Sequence, residues 1–171
     1  CSASAVVAQL EIPLATVECV AELAHRAGVP FILNPAPAQE LSSSLLSKVR
    51  ILTPNETEAQ ILTGVEVMDQ DSATEAAMRL MDRGVKAVVV TMGAKGVLLA
   101  DGDKIEFLRA PKVQAVDTTA AGDAFTASLA VGFGQGHDLH NSSIFASRAA
   151  AISVTRMGAQ PSLPTMQEVC D

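Results

Sequence analysis

Residues 72–91, SATEAAMRLMDRGVKAVVVT, combine the two patterns that decide the fold. Small and apolar residues recur at every third or fourth position of the first part. This spacing predicts an amphipathic helix over Ser72–Arg83 with Asp71 or Ser72 as its N-cap. The three consecutive valines within Lys86–Thr91 are typical of a strand that is buried on both faces. A helix that leads directly into a buried strand indicates a sheet covered by helices.

The same alternation continues through the rest of the chain. The other predicted strands are Ala5–Leu10, Phe31–Leu33, Val49–Thr53, and a hairpin of Gly96–Ala100 with Ile105–Leu108. The other predicted helices are Leu14–Ala27, Leu41–Lys48, Glu56–Leu62, Ala121–Phe133 and Ile144–Thr155. The predicted fold class is therefore α/β: a mainly parallel sheet with helices on both faces and a small antiparallel edge hairpin. We assign residues 1–171 to a single domain, with ligands beyond the carboxyl ends of the strands.

Composition narrows the possible functions. The chain has 171 residues, of which 49% are hydrophobic and 18% charged, so it is not of the disordered type. A net charge of -7 and the absence of Trp and Tyr argue against nucleic-acid binding. The sequence contains no uninterrupted apolar run of about 18 residues, so it predicts no membrane-spanning helix. Cys1, Cys19 and Cys170 have no metal-binding spacing, which favours reduced thiols in a cytoplasmic protein.

The segment 116–125, VDTTAAGDAF, carries the strongest chemical signal. The small residues Ala120, Ala121 and Gly122 leave backbone N–H groups uncovered where a helix begins. Such a helix start can hold a phosphate or a developing anion. Asp123 lies in the first turn, where its carboxylate could accept a proton from an attacking hydroxyl. The residues alone leave a second interpretation open, namely an ordinary helix start with a favourable first-turn acid.

Five segments in order along the chain resemble the ribokinase, or phosphofructokinase-B type, carbohydrate kinase family. They are NPAPA at 34–38, TPNETE at 53–58, TMGAKG at 91–96, DTTAAGDAF at 117–125 and VTRMGAQPS at 154–162. The resemblance extends over essentially the whole chain. The first and last segments are most similar to the ribose-specific branch of the family.

The resemblance implies a reaction and roles for the residues of the strongest motif. The reaction is the ATP-dependent phosphorylation of D-ribose to ribose 5-phosphate. Asp123 would be the base that activates the sugar 5-hydroxyl, and Ala120, Ala121 and Gly122 would form the anion hole. Two alternatives stay open. One is another small-molecule kinase of the family, acting on fructose, a sugar acid or a nucleoside. The other is a non-catalytic nucleotide-binding module.

The resemblance also implies binding sites for ATP, sugar and metals. The ATP site would contain Asn55, Thr91, Met92, Gly93, Ala94, Lys95, Gly96, Gly122 and Ser147. Glu11 would contact the sugar hydroxyls together with Asp123, and Glu58 would organise Mg²⁺ near the phosphates. An activating K⁺ would be held by Asp117, Thr119, Ser153, Arg156, Gly158 and Ser162, mostly through backbone carbonyls.

Several of these residues also have purely structural interpretations. Asn55 and Glu58 fit a helix cap, residues 93–96 fit a plain turn, and Glu11 fits an ordinary exposed acid. Asp117 fits a loop-capping acid, and Arg156 fits a solvated helix end.

The length of the chain departs from the family pattern. Members of the family are about twice as long, so the resemblance places this chain in their C-terminal part. The N-terminal half, with most sugar contacts and a small lid, is missing. We therefore expect the isolated chain to bind nucleotide weakly and to turn over poorly.

The resemblance implies a homodimer for the full-length enzyme. Ala120 stands where many relatives have glycine.

Overall fold

In the computed structural model, which describes residues 3–171, the chain forms six strands and seven α-helices. The strands are β1 (Val6–Ala8), β2 (Phe31–Leu33), β3 (Ile51–Leu52), β4 (Ala87–Thr91), β5 (Gly96–Asp101) and β6 (Lys104–Arg109). The helices are α1 (Leu14–Ala27), α2 (Ser43–Leu46), α3 (Glu56–Thr63), α4 (Gln70–Asp82), α5 (Ala121–Gly134), α6 (Leu139–Ser153) and α7 (Met166–Cys170). Cys1 lies outside the described residues.

The six strands form one sheet in the order in which they follow along the chain. Strands β1 to β4 are parallel, with Val6 opposite Phe31, Ile32 opposite Ile51, and Leu52 opposite Val88. The hairpin of β5 and β6 adds an antiparallel part next to β4. The α/β class, the mainly parallel sheet and the antiparallel hairpin are therefore confirmed.

The central strands are buried because every residue in them except Thr91, at the end of β4, is apolar. Each residue of β2 and β3 is buried, as are the first four residues of β4. Leu45, Leu46 and Leu80 from the flanking helices join the same core and are fully buried. Strands with no polar face are stable only when both faces of the sheet are covered.

The described chain divides into two compact units. The first extends to Met92 and includes Leu98–Phe107, and it contains most of the sheet with α1 to α4. The second consists of Gly93–Val97 and Leu108–Asp171, and it contains α5, α6 and α7. The assignment of residues 1–171 to a single domain stays a prediction.

Two helices begin earlier than predicted because an upstream aspartate caps each of them. Asp69 accepts a hydrogen bond from the Ser72 N–H, so α4 starts at Gln70. Asp138 accepts one from the Asn141 N–H at 2.8 Å, so α6 starts at Leu139 rather than at Ile144. Strands β1 and β3 are shorter than predicted. Helix α7 is not among the predicted helices.

Helices α5 and α6 lie close together in the second unit. A Cβ atom added at Gly132 of α5 would come within 3.2 Å of the Cα atom of Ser142 in α6. The hydroxyl groups of Ser142 and Ser143 are buried there without a hydrogen-bond partner among the described residues. The small residue on α5 therefore allows the close approach of the two helices.

Within residues 3–171, no helix combines the length and the apolar character that crossing a bilayer requires.

Replacement of Arg83, at the end of α4, is expected to destabilise the first unit. The two terminal nitrogens of its guanidinium donate to the carbonyls of Leu62 at 2.9 Å and Leu41 at 2.7 Å. Because a charged donor serves two carbonyls, we expect Arg83→Ala to lower the free energy of unfolding by about 2 kcal/mol. Chemical denaturation measures the change.

The control for this prediction is Arg26→Ala. The Arg26 side chain is 72% exposed, and its one ion-pair partner in the described part of the chain is Glu22, one helical turn away. Its loss should cost no more than about 0.5 kcal/mol. Equal effects of the two substitutions would contradict a clamping role for Arg83.

Candidate functional site

The start of α5 leaves backbone donors available. Ala120, its N-cap, has the left-handed conformation with φ 61 and ψ 10, which is unusual for a residue other than glycine. The Ala121 N–H donates to the Thr118 carbonyl at 3.2 Å. The Gly122 N–H has no acceptor among the described residues. Among the three predicted anion-hole residues, Ala121 is therefore the one whose N–H group already makes a hydrogen bond within a turn.

Space lies open above this helix start. A Cβ atom added at Gly122 would meet no described atom within 4 Å other than those of its chain neighbours and of the backbone of its own helix. Asp123 follows directly in the first turn and is exposed. An accessible N–H group beside an accessible carboxylate at a helix N-terminus can bind an anion and accept a proton from a neighbouring hydroxyl.

Asp117 anchors the loop that enters α5. Its Oδ1 accepts hydrogen bonds from the Thr119 N–H at 2.9 Å and the Thr119 hydroxyl at 2.6 Å. Its Oδ2 accepts one from the Gly158 N–H at 2.8 Å. These bonds, first of all that from the Thr119 hydroxyl, hold the pKa of Asp117 below its usual value. The side chain is therefore a carboxylate that joins the loop before α5 to the loop after α6.

The loop after α6, residues 153–162, contains several oxygen donors. The hydroxyls of Ser153 and Ser162 lie 3.0 Å apart and both residues are buried. No described residue donates a hydrogen bond to the main-chain oxygens of Thr119, Arg156 or Gly158. Carboxylate, carbonyl and hydroxyl oxygens are the donor types that a hard cation prefers. The residues predicted for K⁺ therefore fit such an ion.

Arg156 makes a contact that sequence reasoning missed. Its guanidinium pairs with the Glu168 carboxylate at the start of α7. Glu168 also accepts hydrogen bonds from the N–H and the hydroxyl of Thr165, which caps the helix. Arg156, as the largest cause, and Thr165 lower the pKa of Glu168 to about 2. The spacing Thr165-x-x-Glu168 is a capping-box pattern and could have revealed this helix.

Asn55 and Glu58 form a capping box at the start of α3. The Glu58 carboxylate accepts from the Asn55 N–H at 2.8 Å and from its side-chain amide at 2.9 Å. The Asn55 side-chain oxygen Oδ1 accepts in return from the Glu58 N–H. Partial burial raises the pKa of Glu58. The structural interpretation of this pair is therefore correct, and a metal-binding role has to coexist with it.

The donor set of this pair also fits Mg²⁺. One carboxylate with an amide oxygen suits an ion that keeps several waters and binds phosphates. Within residues 3–171, no group of three or more His, Cys, Asp or Glu side chains could hold a metal by itself.

Loops of the first unit meet at the carboxyl edge of the parallel strands. The Thr91 N–H donates to the Pro54 carbonyl at 2.9 Å, and Asn55 forms a bridge with Thr91. The Leu10 N–H donates to the Ala36 carbonyl at 2.9 Å, which joins the loops after β1 and β2. Glu11 is exposed beside this junction. The structure thus brings the predicted residues Glu11, Asn55, Glu58, Thr91 and Met92 to one edge of the sheet.

The remaining predicted residues belong to the second unit. Gly93–Lys95 form a short 3-10 helix that leads into β5. Gly96 has φ +130 and lies against β6, where an added Cβ atom would be 2.0 Å from the Leu108 carbonyl oxygen. Ser147 lies half-buried in the middle of α6. The backbone in this turn therefore requires glycine at position 96.

Comparisons with known proteins point to one protein family. A family model described as pfkB family carbohydrate kinase matches residues 1–166. A ribokinase of Haemophilus influenzae is 49% identical over 163 residues, which are 95% of this chain and 53% of that protein. A deoxyribokinase of Salmonella typhi is 41% identical and covers 95% of this chain and 54% of its own length.

A solved structure is also very similar. Arabidopsis thaliana ribokinase, complexed with ribose and ATP, superposes with a TM-score of 0.93 at 37% identity. The superposition covers 98% of this chain and 55% of that one. The chain spans about half the length of the curated relatives that it matches.

Gly96→Ala is expected to damage the turn before β5. Because the new methyl group would overlap backbone atoms of β6, the strands have to separate. We expect a loss of about 3 kcal/mol in the free energy of unfolding. Gly102→Ala is the matched control, since Gly102 also has a positive φ of 60 but no atom within 4 Å of the added Cβ. It should cost about 1 kcal/mol. Equal losses in denaturation curves would contradict the close approach.

Proposed function

The chain belongs to the pfkB family of carbohydrate kinases, and we propose that the protein it forms part of transfers the γ-phosphoryl group of ATP to the 5-hydroxyl of ribose. The single observation that carries this proposal is the start of α5. There the Gly122 N–H, which has no acceptor within residues 3–171, stands next to the exposed carboxylate of Asp123. The 49% identity to a ribokinase supports ribose as the substrate.

The chemistry requires positioning and charge stabilisation more than covalent catalysis. The Asp123 carboxylate takes the proton of the attacking hydroxyl as the new oxygen–phosphorus bond forms. The bond between the γ-phosphorus and the β,γ-bridging oxygen breaks in the same displacement, and ADP leaves with that oxygen. The backbone donors around Gly122 stabilise the charge that develops on the transferred phosphoryl oxygens, since their dipoles already point there before reaction. Because Asp117 fixes the preceding loop, these donors need no reorganisation during the step.

The proposed ATP and metal sites use the other residues. Asn55 and Glu58 would hold Mg²⁺, which when bound neutralises phosphate charge. The loop Thr91–Gly96 and Ser147 would contact the nucleotide. An activating K⁺ would be held by oxygens of Asp117, Thr119, Ser153, Arg156, Gly158 and Ser162. The homodimer implied by the resemblance stays a prediction.

A second candidate substrate is 2-deoxyribose. It is favoured by the 41% identity to a protein named deoxyribokinase. In either case we propose that Glu11 contacts sugar hydroxyls, because it is exposed at the carboxyl edge of the sheet. A panel of ribose, deoxyribose, fructose and nucleosides, assayed with the full-length protein, separates these substrates by kcat/KM.

Asp123→Asn tests the proposed base. The amide keeps the size of the side chain but cannot accept the proton, so we expect kcat to fall by about 10²- to 10⁴-fold. ATP affinity, measured by calorimetry, should change little. The control is Asp71→Asn, which alters an exposed acid in the first turn of α4. Its activity should equal that of the wild type. A full rate in Asp123→Asn would contradict the proposal.

Gly122→Ala tests the anion hole without disturbing the fold. The added methyl group meets no described atom within 4 Å, and alanine is the better helix former by about 1 kcal/mol. Thermal stability should therefore stay the same or rise. A phosphoryl group that approaches this N–H would be blocked, so we expect kcat/KM for ATP to fall by about 100-fold. A stable variant with unchanged kinetics would show that no phosphate comes near Gly122.

A further inference from the structure

Glu168 contacts a loop that the proposed function uses, although it lies outside the family motifs considered above. It is the third residue of α7, and Thr165 caps this helix in a reciprocal capping box. The cap leaves one carboxylate oxygen, Oε1, for Arg156, while Oε2 accepts both hydrogen bonds from Thr165. Glu168 is therefore held in one orientation by its own helix before it meets the arginine.

Arg156 lies two residues before Gly158, whose N–H donates to Asp117 at 2.8 Å. Beyond Gly158, the Ser162 hydroxyl contacts the Ala159 carbonyl at 2.7 Å. The Val154 carbonyl of this loop accepts from the N–H groups of Val116 and Asp117, and the Thr155 hydroxyl donates to the Ile152 carbonyl of α6. Besides these bonds, the loop of residues 153–162 has two external attachments among the side-chain contacts of the described residues. One runs to Asp117 before α5, and the other runs from Arg156 to Glu168 on α7.

The main-chain oxygens of Arg156 and Gly158 receive no hydrogen bond from the described residues. The directions in which these two carbonyl oxygens point therefore depend on how the loop is held, because no hydrogen bond to the oxygens themselves fixes them. An attachment at the Arg156 side chain restricts the backbone that carries both oxygens.

We propose that Glu168 is a positioning residue that, through Arg156, holds the carbonyl oxygens of residues 153–162 in the arrangement that binds a monovalent cation. This inference rests on the proposed function, because the cation is the activating K⁺ of that proposal. Glu168 itself does not touch the ion, and its effect is on the geometry of the oxygens. The pair is partly exposed, with side chains 37% and 40% accessible, so its influence is moderate.

Glu168→Gln isolates the ion pair from the helix cap. Glutamine at this capping-box position still accepts from Thr165, so α7 keeps its start. The charge that pairs with Arg156 is lost. In the full-length protein we expect the half-saturating KCl concentration for ribose phosphorylation to rise about threefold. The assay replaces KCl by choline chloride at constant ionic strength.

A second readout does not depend on activity. KCl should raise the melting temperature of the wild type relative to choline chloride, and Glu168→Gln should require about threefold more KCl for the same rise. In choline chloride alone the two proteins should melt within about 1 °C of each other. A merely structural role of Glu168 would instead lower the melting temperature equally in both salts.

Two matched variants complete the design. Arg156→Gln should give the same shift in KCl dependence, and the double variant should add nothing further, because both changes remove one interaction. Glu22→Gln removes an exposed ion pair on α1 and should leave the KCl dependence unchanged.

The outcomes separate this inference from the proposed function. An unchanged KCl dependence in Glu168→Gln overturns the inference, as does a wild type that phosphorylates ribose without any response to KCl, and both leave the transfer reaction standing. A protein that phosphorylates no sugar, but whose KCl-dependent melting shifts in Glu168→Gln, contradicts the proposed function and supports the inference.

Discussion

The carboxylate of Asp117 is the constraint on which the second unit depends. It accepts hydrogen bonds from the backbone and hydroxyl of Thr119 on one side and from the backbone of Gly158 on the other. One side chain thereby fixes the loop that enters α5 and the loop that leaves α6. Ala120 adopts a left-handed conformation three residues later, and in the first turn of the helix the Gly122 N–H has no acceptor among the described residues. Such a conformation costs about 1 kcal/mol or more, so it persists only where the surroundings hold it.

The same residues serve the fold and the proposed chemistry. Asn55 and Glu58 cap α3 and are also the residues proposed for Mg²⁺. Because each orients the other, their oxygens are held in place without the metal. The prediction that Asn55 and Glu58 form a helix cap was therefore correct, and it does not exclude the proposed metal-binding role of the same residues. Catalytic groups that are fixed by helix caps and loop anchors need little reorganisation, which is what phosphoryl transfer demands of a protein.

Much of the architecture was predictable from local patterns. The bounds of α1 and β2 were correct because Gly28 and the short apolar run Phe31–Leu33 mark them clearly. The predicted start of α6 was wrong, because Asp138 caps the helix at Leu139 and Ser142 in its first turn packs against Gly132 of α5. In the candidate site, the motif residues were recognisable, but Glu168 was not. Its partner is 12 residues away, and their meeting depends on the path of the chain.

The most direct test is a crystal structure of the full-length protein with ADP, Mg²⁺, ribose and a fluoroaluminate that mimics the transferring phosphoryl group. The account predicts the mimic within about 3 Å of the Gly122 nitrogen and the sugar 5-hydroxyl at hydrogen-bond distance from the Asp123 carboxylate. A mimic bound away from the start of α5, or a sugar hydroxyl that faces a different side chain, would contradict it.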